Sequence, residues 1–410
     1  MQLPLANTRI LISGAGVAGP ALALCLQRYG ARVTVVEVAK GLRTSGFAVD
    51  FRGPTHQRVL RELGVLEALR AIRTQGSPMR VVDEHDREIY CLPAEFAGGE
   101  LEVYRGDLSR VLYERSAPHT EYLFGERITA LRQSNSEVEV DFASAGTRQF
   151  DVVIGTDGIH SNVRKLAFGP EQAYVKHLGY YIAGWSLPNA FPGTDAAFNQ
   201  PGRAIGLGPD QRDPSRAIAL CVFASEQRDI DWRDAAAQKA MVKRAFAGMP
   251  WKASSILSTL DDAEDLYFDA ISRVHVPYWS RGRVVLLGDA AWGVTLGGMG
   301  VGTGVVGGYV LAGELAREYA AGSCNPAAAF AAYEQRMRGY AATWQKGADP
   351  GSFLAPKTRR GLWLRNTLLA MRPVQWLMLR TVKGYATDPE LPNYDHLIAS
   401  PTQPRAASCS

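Results

Sequence analysis

Cysteine pairs and long apolar runs are missing from this sequence, and their absence excludes several kinds of protein. The five cysteines lie far apart, with no Cys-x-x-Cys pair and no histidine at the spacing of zinc ligands. We therefore predict no metal site and no disulfide framework. No window offers the roughly 18 apolar residues that a spanning helix needs. The nearest, residues 365–385, is interrupted by Arg372 and Arg380, so we predict no membrane span.

Charge of one sign is also scarce. Charged residues make up 21% of the 410 residues and the formal net charge is +4, without dense runs of lysine and arginine. Proteins that bind polyanions usually carry such runs, so no nucleic-acid partner is expected. Residues 1–7 lack the basic stretch and apolar core of a signal peptide, which predicts a cytoplasmic location. The hydrophobic content of 46% is enough for a substantial core.

A glycine fingerprint follows the first apolar run of the chain. Arg9–Ser13 is typical of a buried parallel strand and leads directly into the G-x-G-x-x-G segment Gly14–Gly19. A helical pattern then runs over Val17–Tyr29, and Arg32–Glu37 has the pattern of a second strand that ends in a carboxylate. A glycine-rich turn alone would be a weak signal, but the strand, helix and second strand in register predict a dinucleotide-binding unit.

Each glycine of the fingerprint has its own expected task. Gly14 permits the tight turn, Gly16 lets the backbone approach a pyrophosphate, and Gly19 lets helix and strand pack closely. Glu37 lies at the position from which a carboxylate accepts hydrogen bonds from ribose hydroxyls, which argues against a 2′-phosphate at this site. The nucleotide is therefore expected to be FAD or NAD.

Two later segments repeat the pattern of an apolar strand that ends in an acid. Asp151–Gly158 runs into Asp157 and Gly158, and Arg283–Ala291 runs into Gly288 and Asp289. Three such segments indicate a ligand that is contacted at several points.

With these motifs in this order, the sequence resembles the class A flavoprotein monooxygenases typified by p-hydroxybenzoate hydroxylase. The resemblance is greatest to the tetracycline-inactivating and antibiotic-pathway FAD monooxygenases, and it covers roughly residues 9–337. It implies that Asp157 and Gly158 serve both FAD and the visiting nicotinamide nucleotide. It also implies that Asp289 holds the ribityl and pyrophosphate region of FAD.

Smaller matches extend the resemblance. Leu42–Asp50 is similar to the family segment in which an arginine, here Arg43, is associated with the nicotinamide nucleotide and an aspartate, here Asp50, lies near FAD. Arg105 matches an arginine that contacts the flavin, although its sequence context also fits a solvated charge at a helix start. The residues expected to bind the cofactor are Gly14, Gly16, Val17, Ala18, Gly19, Glu37, Arg43, Asp50, Arg105, Asp157, Gly158, Asp289, Gly298, Met299 and Gly300.

The segment after Asp289 departs from the family pattern. Family members usually carry two alanines, a histidine or tyrosine, and a proline before a Gly-x-Gly turn. This chain has Trp292 at the aromatic position, no proline, and one residue fewer before residues 298–300. The loss of proline frees the backbone there. The helix that follows is glycine-rich at its start, which we attribute mainly to a close approach to the cofactor and partly to tight packing.

The predicted fold is α/β: a Rossmann-like FAD-binding domain with a central parallel sheet, an antiparallel-sheet substrate domain and C-terminal helices. The predicted ranges are 1–73, 99–176 and 278–325 for the FAD-binding domain, 74–98 and 177–277 for the substrate domain, 326–395 for the C-terminal helical region and 396–410 for a tail. Residues 357–385 form a basic amphipathic stretch, which we expect to brace the two domains and not to lie on a membrane.

Aromatic residues of the substrate domain are expected to line a cavity beside the flavin. Tyr181, Trp185, Phe223 and Phe268 are the predicted substrate-binding residues, with core packing as the alternative. Aromatic walls favour a planar or polycyclic substrate. No catalytic side chain is assigned, because the cofactor performs the chemistry. His160 follows the Asp-Gly motif and is a possible base, but a solvent-facing histidine is the expected state.

The resemblance implies an FAD-dependent monooxygenase that uses NADPH or NADH and O2 to hydroxylate or oxygenate a polycyclic aromatic or polyketide-like molecule. One alternative, suggested by Trp292 and Leu296, is an FAD-bound enzyme of the same fold that catalyses a cyclisation or isomerisation without oxygenation. A second alternative is a flavin-binding or substrate-sequestering protein without turnover. The protein is expected to be a monomer or homodimer.

Overall fold

The computed structural model describes residues 3–42, 47–228, 234–297, 300–346, 349–385 and 391–398. Three predicted cofactor residues lie outside these ranges: Arg43, Gly298 and Met299.

The described strands, in chain order, are β1 (Arg9–Ser13), β2 (Arg32–Glu37), β3 (Ala48–Phe51), β4 (Met79–Val82), β5 (Glu88–Leu92), β6 (Leu101–Tyr104), β7 (Thr120–Phe124), β8 (Ile128–Gln133), β9 (Val138–Phe142), β10 (Thr147–Phe150), β11 (Val152–Gly155), β12 (Val175–Pro188), β13 (Ala196–Gln200), β14 (Arg203–Pro209), β15 (Arg216–Ala224), β16 (Tyr267–Val274), β17 (Ser280–Arg281) and β18 (Val284–Leu286).

The described helices are α1 (Ala18–Gln27), α2 (Gly53–Glu62), α3 (Leu66–Ala71), α4 (Ala94–Ala97), α5 (Arg105–Ser116), α6 (Asn162–Ala167), α7 (Ala235–Phe246), α8 (Ala253–Ser258), α9 (Asp289–Trp292), α10 (Gly300–Ala320), α11 (Ala327–Gln345), α12 (Pro350–Leu354), α13 (Arg359–Ala370) and α14 (Arg372–Tyr385).

A six-stranded sheet forms the centre of the nucleotide-binding part. Its strand order is β17-β18-β11-β1-β2-β7, and every neighbouring pair is parallel except β17 with β18. In β1 the side chains of Ile10, Leu11 and Ile12 are all fully buried, as expected for a strand that is covered on both faces. The parallel pairing brings the carboxyl ends of β1, β2, β11 and β18 to one edge, which is where ligands bind in open α/β sheets.

Glycines let α10 pack closely against this sheet and against α1. A Cβ on Gly308 would lie 3.5 Å from Leu22 of α1, and one on Gly304 would lie 3.6 Å from Ala18. A Cβ on Gly307 would press on Leu287 at 2.8 Å. Glycines of this helix therefore serve protein packing, and their expected close approach to the cofactor stays a prediction.

A seven-stranded sheet forms the second part of the molecule, in the order β16-β12-β15-β14-β13-β4-β5. All of its neighbours are antiparallel except β13 with β4. Helices α7 and α8 cover one face through Val242, Phe246 and Ile256. The other face meets Phe47 and Leu296 of the nucleotide-binding part and Leu354 of α12. The predicted α/β fold with parallel and antiparallel sheets is confirmed, and the domain limits stay a prediction.

Two small sheets and the last helices complete the fold. Strands β3 and β6 pair with each other, and β8, β9 and β10 form an antiparallel meander. Helix α11 packs on α10, while α13 packs on β5. Within the described ranges, none of the helices combines the length and apolar character that a membrane crossing requires.

Candidate cofactor and substrate site

The glycine fingerprint forms a tight loop between β1 and α1. Gly14 has a φ of +106°, and a Cβ there would lie 2.8 Å from the carbonyl oxygen of Thr156. A Cβ on Gly19 would collide with the carbonyl oxygen of Gly14. A side chain at Gly14 or Gly19 would thus widen the turn or displace the glycine loop from the end of β11. Val17 and Ala18 follow the turn at the start of α1.

Gly16 occupies a different environment from the other two glycines. The nearest atom to a Cβ built there is the Nη2 of Arg105, at 4.0 Å. The loop therefore leaves open space over Gly16, with a guanidinium at its border. Arg105 is the first residue of α5 and is exposed, as expected for a solvated charge at a helix start. Its guanidinium is also directed to the glycine loop.

Glu37 is held at the carboxyl end of β2. Its carboxylate accepts hydrogen bonds from the backbone N–H of Ala15, at 2.8 Å, and of Ala39, at 2.9 Å. These bonds fix the carboxylate beside the glycine loop and leave lone pairs for further donors. A contact between Glu37 and a ribose stays a prediction.

Asp157 faces inward and stabilises the protein itself. Its carboxylate accepts hydrogen bonds from the hydroxyls of Ser13 and Ser161 and from the backbone N–H of Val163. Burial raises the pKa of Asp157, and these donors oppose the rise. Gly158 has a φ of +81°, and a Cβ there would meet nothing within 4 Å, so its backbone borders open space. The side chain of Asp157 thus joins β1 to α6.

Asp289 follows the carboxyl end of β18, beside the first residue of α10. It begins α9, directly after Gly288 at φ +66°, and a Cβ on Gly300 would lie 2.9 Å from its Oδ1. Burial raises the pKa of Asp289, while the Arg105 guanidinium opposes the rise. Arg105 therefore lies close to both Gly16 and Asp289. The structure thus brings the glycine loop, Arg105 and Asp289 near one another, although they are far apart in sequence.

Asp50 occupies a structural ion pair. It is buried in β3 and binds the guanidinium of Arg52. Burial raises the pKa of Asp50 and Arg52 lowers it. Its predicted proximity to a flavin stays a prediction.

The four predicted substrate-binding aromatics lie together, on the sheet face that α7 and α8 cover. Tyr181 stacks on Phe223 and Phe268, with ring centroids 5.8 and 5.4 Å apart. Trp185 is buried and donates its indole N–H to the hydroxyl of Thr259 at 3.0 Å. The structure thus places Tyr181, Trp185, Phe223 and Phe268 in a packed core, which was the alternative interpretation. Side chains alternate along a strand, so the neighbouring residues point to the opposite face.

That opposite face contains apolar residues that the sequence analysis did not identify. Gly184 and Tyr267 pair across β12 and β16, and a Cβ on Gly184 would collide with the ring of Phe47. Phe47 and Tyr267 pack edge to face, with ring centroids 5.7 Å apart. Leu220 pairs with Gly184 from the other side and is only partly buried. A glycine inside a strand often marks a position where another group approaches the backbone closely. Gly184 was therefore a signal in the sequence for the contact with Phe47.

The loop after Asp289 joins the two large sheets. The backbone N–H of Val274 donates to Gly293 at 2.8 Å, and that of Thr295 donates to Ser272 at 3.0 Å. Leu296 follows with a φ of +58°, unusual for a residue with a side chain, and contacts the apolar face. Trp292, the departure from the family pattern, is buried against Trp279, with ring centroids 4.4 Å apart. The replacement therefore serves core packing.

His160 is held between two carboxylates. Its Nδ1 lies 3.0 Å from Glu171 and its Nε2 lies 3.1 Å from Asp269. These two hydrogen bonds, that to Asp269 first, raise the pKa of His160 to about 10. A histidine that stays protonated at neutral pH is not a general base. It anchors Asp269, which also accepts a hydrogen bond from the backbone N–H of Ala270 at 2.7 Å.

Comparisons with known proteins agree with this geometry. Residues 7–343 match the family described as FAD binding domain. The chain is 37% identical over 338 residues to an uncharacterized protein of Mycobacterium tuberculosis, covering 80% of this chain and 91% of that protein. It is 33% identical over 405 residues to a flavin-dependent monooxygenase of Legionella longbeachae, covering 95% and 99%. The crystal structure of tetracycline destructase Tet(51) is similar at 29% identity with a TM-score of 0.79, covering 94% of this chain and 99% of that one.

These matches confirm the predicted cofactor, FAD, and the predicted class, oxidoreductase. The glycine loop, Arg105 and Asp289 lie near one another, and their contact with the nucleotide stays a prediction. The chain belongs to the FAD-binding-domain family and, within it, to the flavin-dependent monooxygenases that its motifs resemble.

Proposed function

We propose that this protein uses NAD(P)H and O2 to oxygenate a polycyclic aromatic or polyketide-like small molecule. The observation that carries the proposal is the position of Arg105. Its guanidinium lies beside Gly16 and acts electrostatically on both Asp289 and Tyr267. One cation thus borders the cradle that fits a flavin nucleotide and the sheet face that fits an apolar substrate.

The residues that would hold FAD are the loop Gly14–Gly19, Arg105 and Asp289. The free N–H groups at the start of α1 favour a pyrophosphate, and a guanidinium nearby adds positive charge. When bound, FAD accepts electrons from NAD(P)H and supplies the oxygen chemistry. The work of the chain is to orient the cofactor and substrate and to exclude water from between them.

The sheet face opposite α7 and α8 is proposed as the substrate surface. Tyr267 and Leu220 give this face aromatic and apolar character, and Phe47 and Leu296 of the nucleotide-binding part contact it. Aromatic faces and edges bind planar rings well. The similarity to a tetracycline destructase supports a polycyclic substrate. A cytoplasmic location, and a monomeric or homodimeric state, belong to the same proposal.

The test is a screen for substrate-dependent oxidation of NADPH and NADH by the FAD-loaded protein, with O2 consumption recorded in parallel. Tetracyclines and other polycyclic compounds are the first set. We expect a product that gains one oxygen atom, and labelled O2 should be its source. Mass spectrometry of the product gives this directly.

Two results would overturn the proposal. A product formed without NAD(P)H and O2 would identify a cyclisation or isomerisation on the same scaffold. Tight binding of a compound without turnover, under every electron donor, would identify a sequestering protein.

A further inference from the structure

Helices α13 and α14 present large apolar side chains to solvent. On α13, Leu364 and Leu368 are one helical turn apart, and on the two helices Trp363 and Trp376 are 67% and 61% exposed. We call this the hairpin patch; it consists of Trp363, Leu364, Leu368, Met371, Trp376 and Leu377. Monomeric soluble proteins rarely expose a large apolar patch, so the hairpin patch indicates a binding surface.

The opposite side of the hairpin is firmly packed, so the orientation of the patch is fixed. Leu369 is buried with Tyr90 and Leu92 of the seven-stranded sheet. Gln375 donates to the carbonyl oxygen of Cys91 at 3.2 Å. Arg365 donates to the carbonyl oxygens of Phe353 and Leu354, both at 2.9 Å. These contacts hold the hairpin on the seven-stranded sheet and α12, and the expected bracing of the two domains stays a prediction.

Charge within the segment that forms the hairpin is of one sign. Residues 350–385 contain no aspartate or glutamate, and they contain seven cations: Lys357, Arg359, Arg360, Arg365, Arg372, Arg380 and Lys383. The whole chain has a formal net charge of only +4, so the remainder of the chain is net negative. Positive charge is thus concentrated where the apolar residues are exposed.

Two occupants of the patch are considered, a second copy of the chain and a lipid bilayer, and the positive charge favours the bilayer. A second copy that bound by a two-fold axis would bring the same cations against one another, which is unfavourable. A bilayer with anionic headgroups offers an apolar layer beneath a negative surface. Tryptophan is enriched at the boundary between headgroups and acyl chains, and arginine binds phosphate through bidentate hydrogen bonds.

We propose, in place of our expectation that this stretch does not lie on a membrane, that the α13–α14 hairpin docks the protein on an anionic lipid surface. Trp363, Leu364, Trp376 and Leu377 enter the boundary between headgroups and acyl chains, and the exposed arginines contact lipid phosphates. The attachment is peripheral, of the kind made by interfacial amphipathic helices.

The test is flotation of the FAD-loaded protein with vesicles of phosphatidylcholine alone and with vesicles that also contain phosphatidylglycerol. We expect binding at least about tenfold tighter to the anionic vesicles, and weaker binding in high salt because exposed charges are screened. The double variant Trp363→Ala with Trp376→Ala should lose at least about tenfold in binding. The charge variant Arg359→Glu with Arg360→Glu should lose a similar factor.

Matched controls separate the patch from the rest of the surface. Tyr278→Ala removes an aromatic that is 75% exposed elsewhere, and Arg61→Glu reverses an exposed charge on α2. Both should bind vesicles like the unmodified protein. FAD absorbance and the melting temperature report whether each variant is folded. If the double variant does not fold, quenching of tryptophan fluorescence by brominated phosphatidylglycerol tests the unmodified protein directly.

Three outcomes would overturn the proposal. The first is an absence of binding to the anionic vesicles. The second is equal binding by the double tryptophan variant. The third is a dimer, seen by light scattering, that the tryptophan variant abolishes, because it would identify a second copy as the occupant.

Discussion

At the scale of single residues, His160 is a group whose charge the fold controls. Because Asp269 and Glu171 raise its pKa to about 10, the imidazolium contributes fully to stability below the unfolded value of about 6.5. That contribution is lost as the pH rises through about 10. The side chain is about half exposed, so we expect a loss of only about 1 kcal/mol.

The measurement for His160 is urea unfolding at several pH values between 6 and 10.5, for the unmodified protein and for His160→Gln. The extra loss of stability at high pH should be absent from the variant. Parallel pH profiles would refute the assignment of a protonated His160.

His56 has the opposite behaviour. It is 1% exposed, accepts a hydrogen bond from the backbone N–H of Arg52 at 3.0 Å, and lies 2.9 Å from the hydroxyl of Tyr340. Burial lowers the pKa of His56 to about 4. Because the pKa of His56 is lower in the folded protein, its contribution to stability is fully present above a pH of about 6.5. That contribution is lost as the pH falls through about 4.

We therefore expect acid to destabilise the unmodified protein by about 2 kcal/mol more than the variant His56→Gln. Unfolding midpoints at pH 7, 5.5 and 4 give the comparison. The quantity to compare is the change of stability with pH in each protein, and not the absolute stability. A variant as acid-sensitive as the unmodified protein would contradict this account.

At the scale of elements, the strand–loop–helix unit assigns separate tasks to its glycines. A Cβ on Gly19 collides with the backbone of Gly14, whereas a Cβ on Gly16 meets nothing nearer than Arg105 at 4.0 Å. Gly19→Ala should therefore destabilise the FAD-free protein by about 2 kcal/mol or more. Gly16→Ala should change that stability by less than about 0.5 kcal/mol and weaken FAD binding at least tenfold, by about 1.4 kcal/mol.

Urea unfolding of the FAD-free protein and fluorescence titration with FAD measure the two effects separately. Equal loss of stability in both variants would show that Gly16 is needed by the turn and not by the ligand.

The elements also show which parts of the site the sequence predicts and why others escape it. The requirement for Gly14 or Gly19 is local, so a short motif reveals it. The tasks of Asp157 and Trp292 depend on partners far away in sequence, such as Ser13 and Trp279. For the predicted substrate aromatics, the sequence could not distinguish a cavity wall from a packed core. Both faces of β12 are largely buried, so apolar residues at alternate positions give no information on which face meets the nucleotide-binding part.

At the scale of the whole molecule, the proposed cofactor cradle combines separate parts of the chain, so FAD should stabilise the fold as a unit. A ligand that binds only the native state raises the free energy of unfolding, by about 2.7 kcal/mol at a hundredfold excess over its dissociation constant. The cradle includes Arg105, the cation beside Gly16 and Asp289.

Arg105→Ala should accordingly reduce the gain in melting temperature that added FAD produces, while the FAD-free protein melts at nearly the same temperature. Arg110→Ala is the matched control, since it removes an exposed arginine from the same helix. Its FAD-dependent gain should equal that of the unmodified protein. Thermal melts over a range of FAD concentrations distinguish the two variants. An undiminished gain for Arg105→Ala would mean that the guanidinium borders the cofactor space without binding the cofactor, and the proposed link between cradle and substrate surface would lose its support.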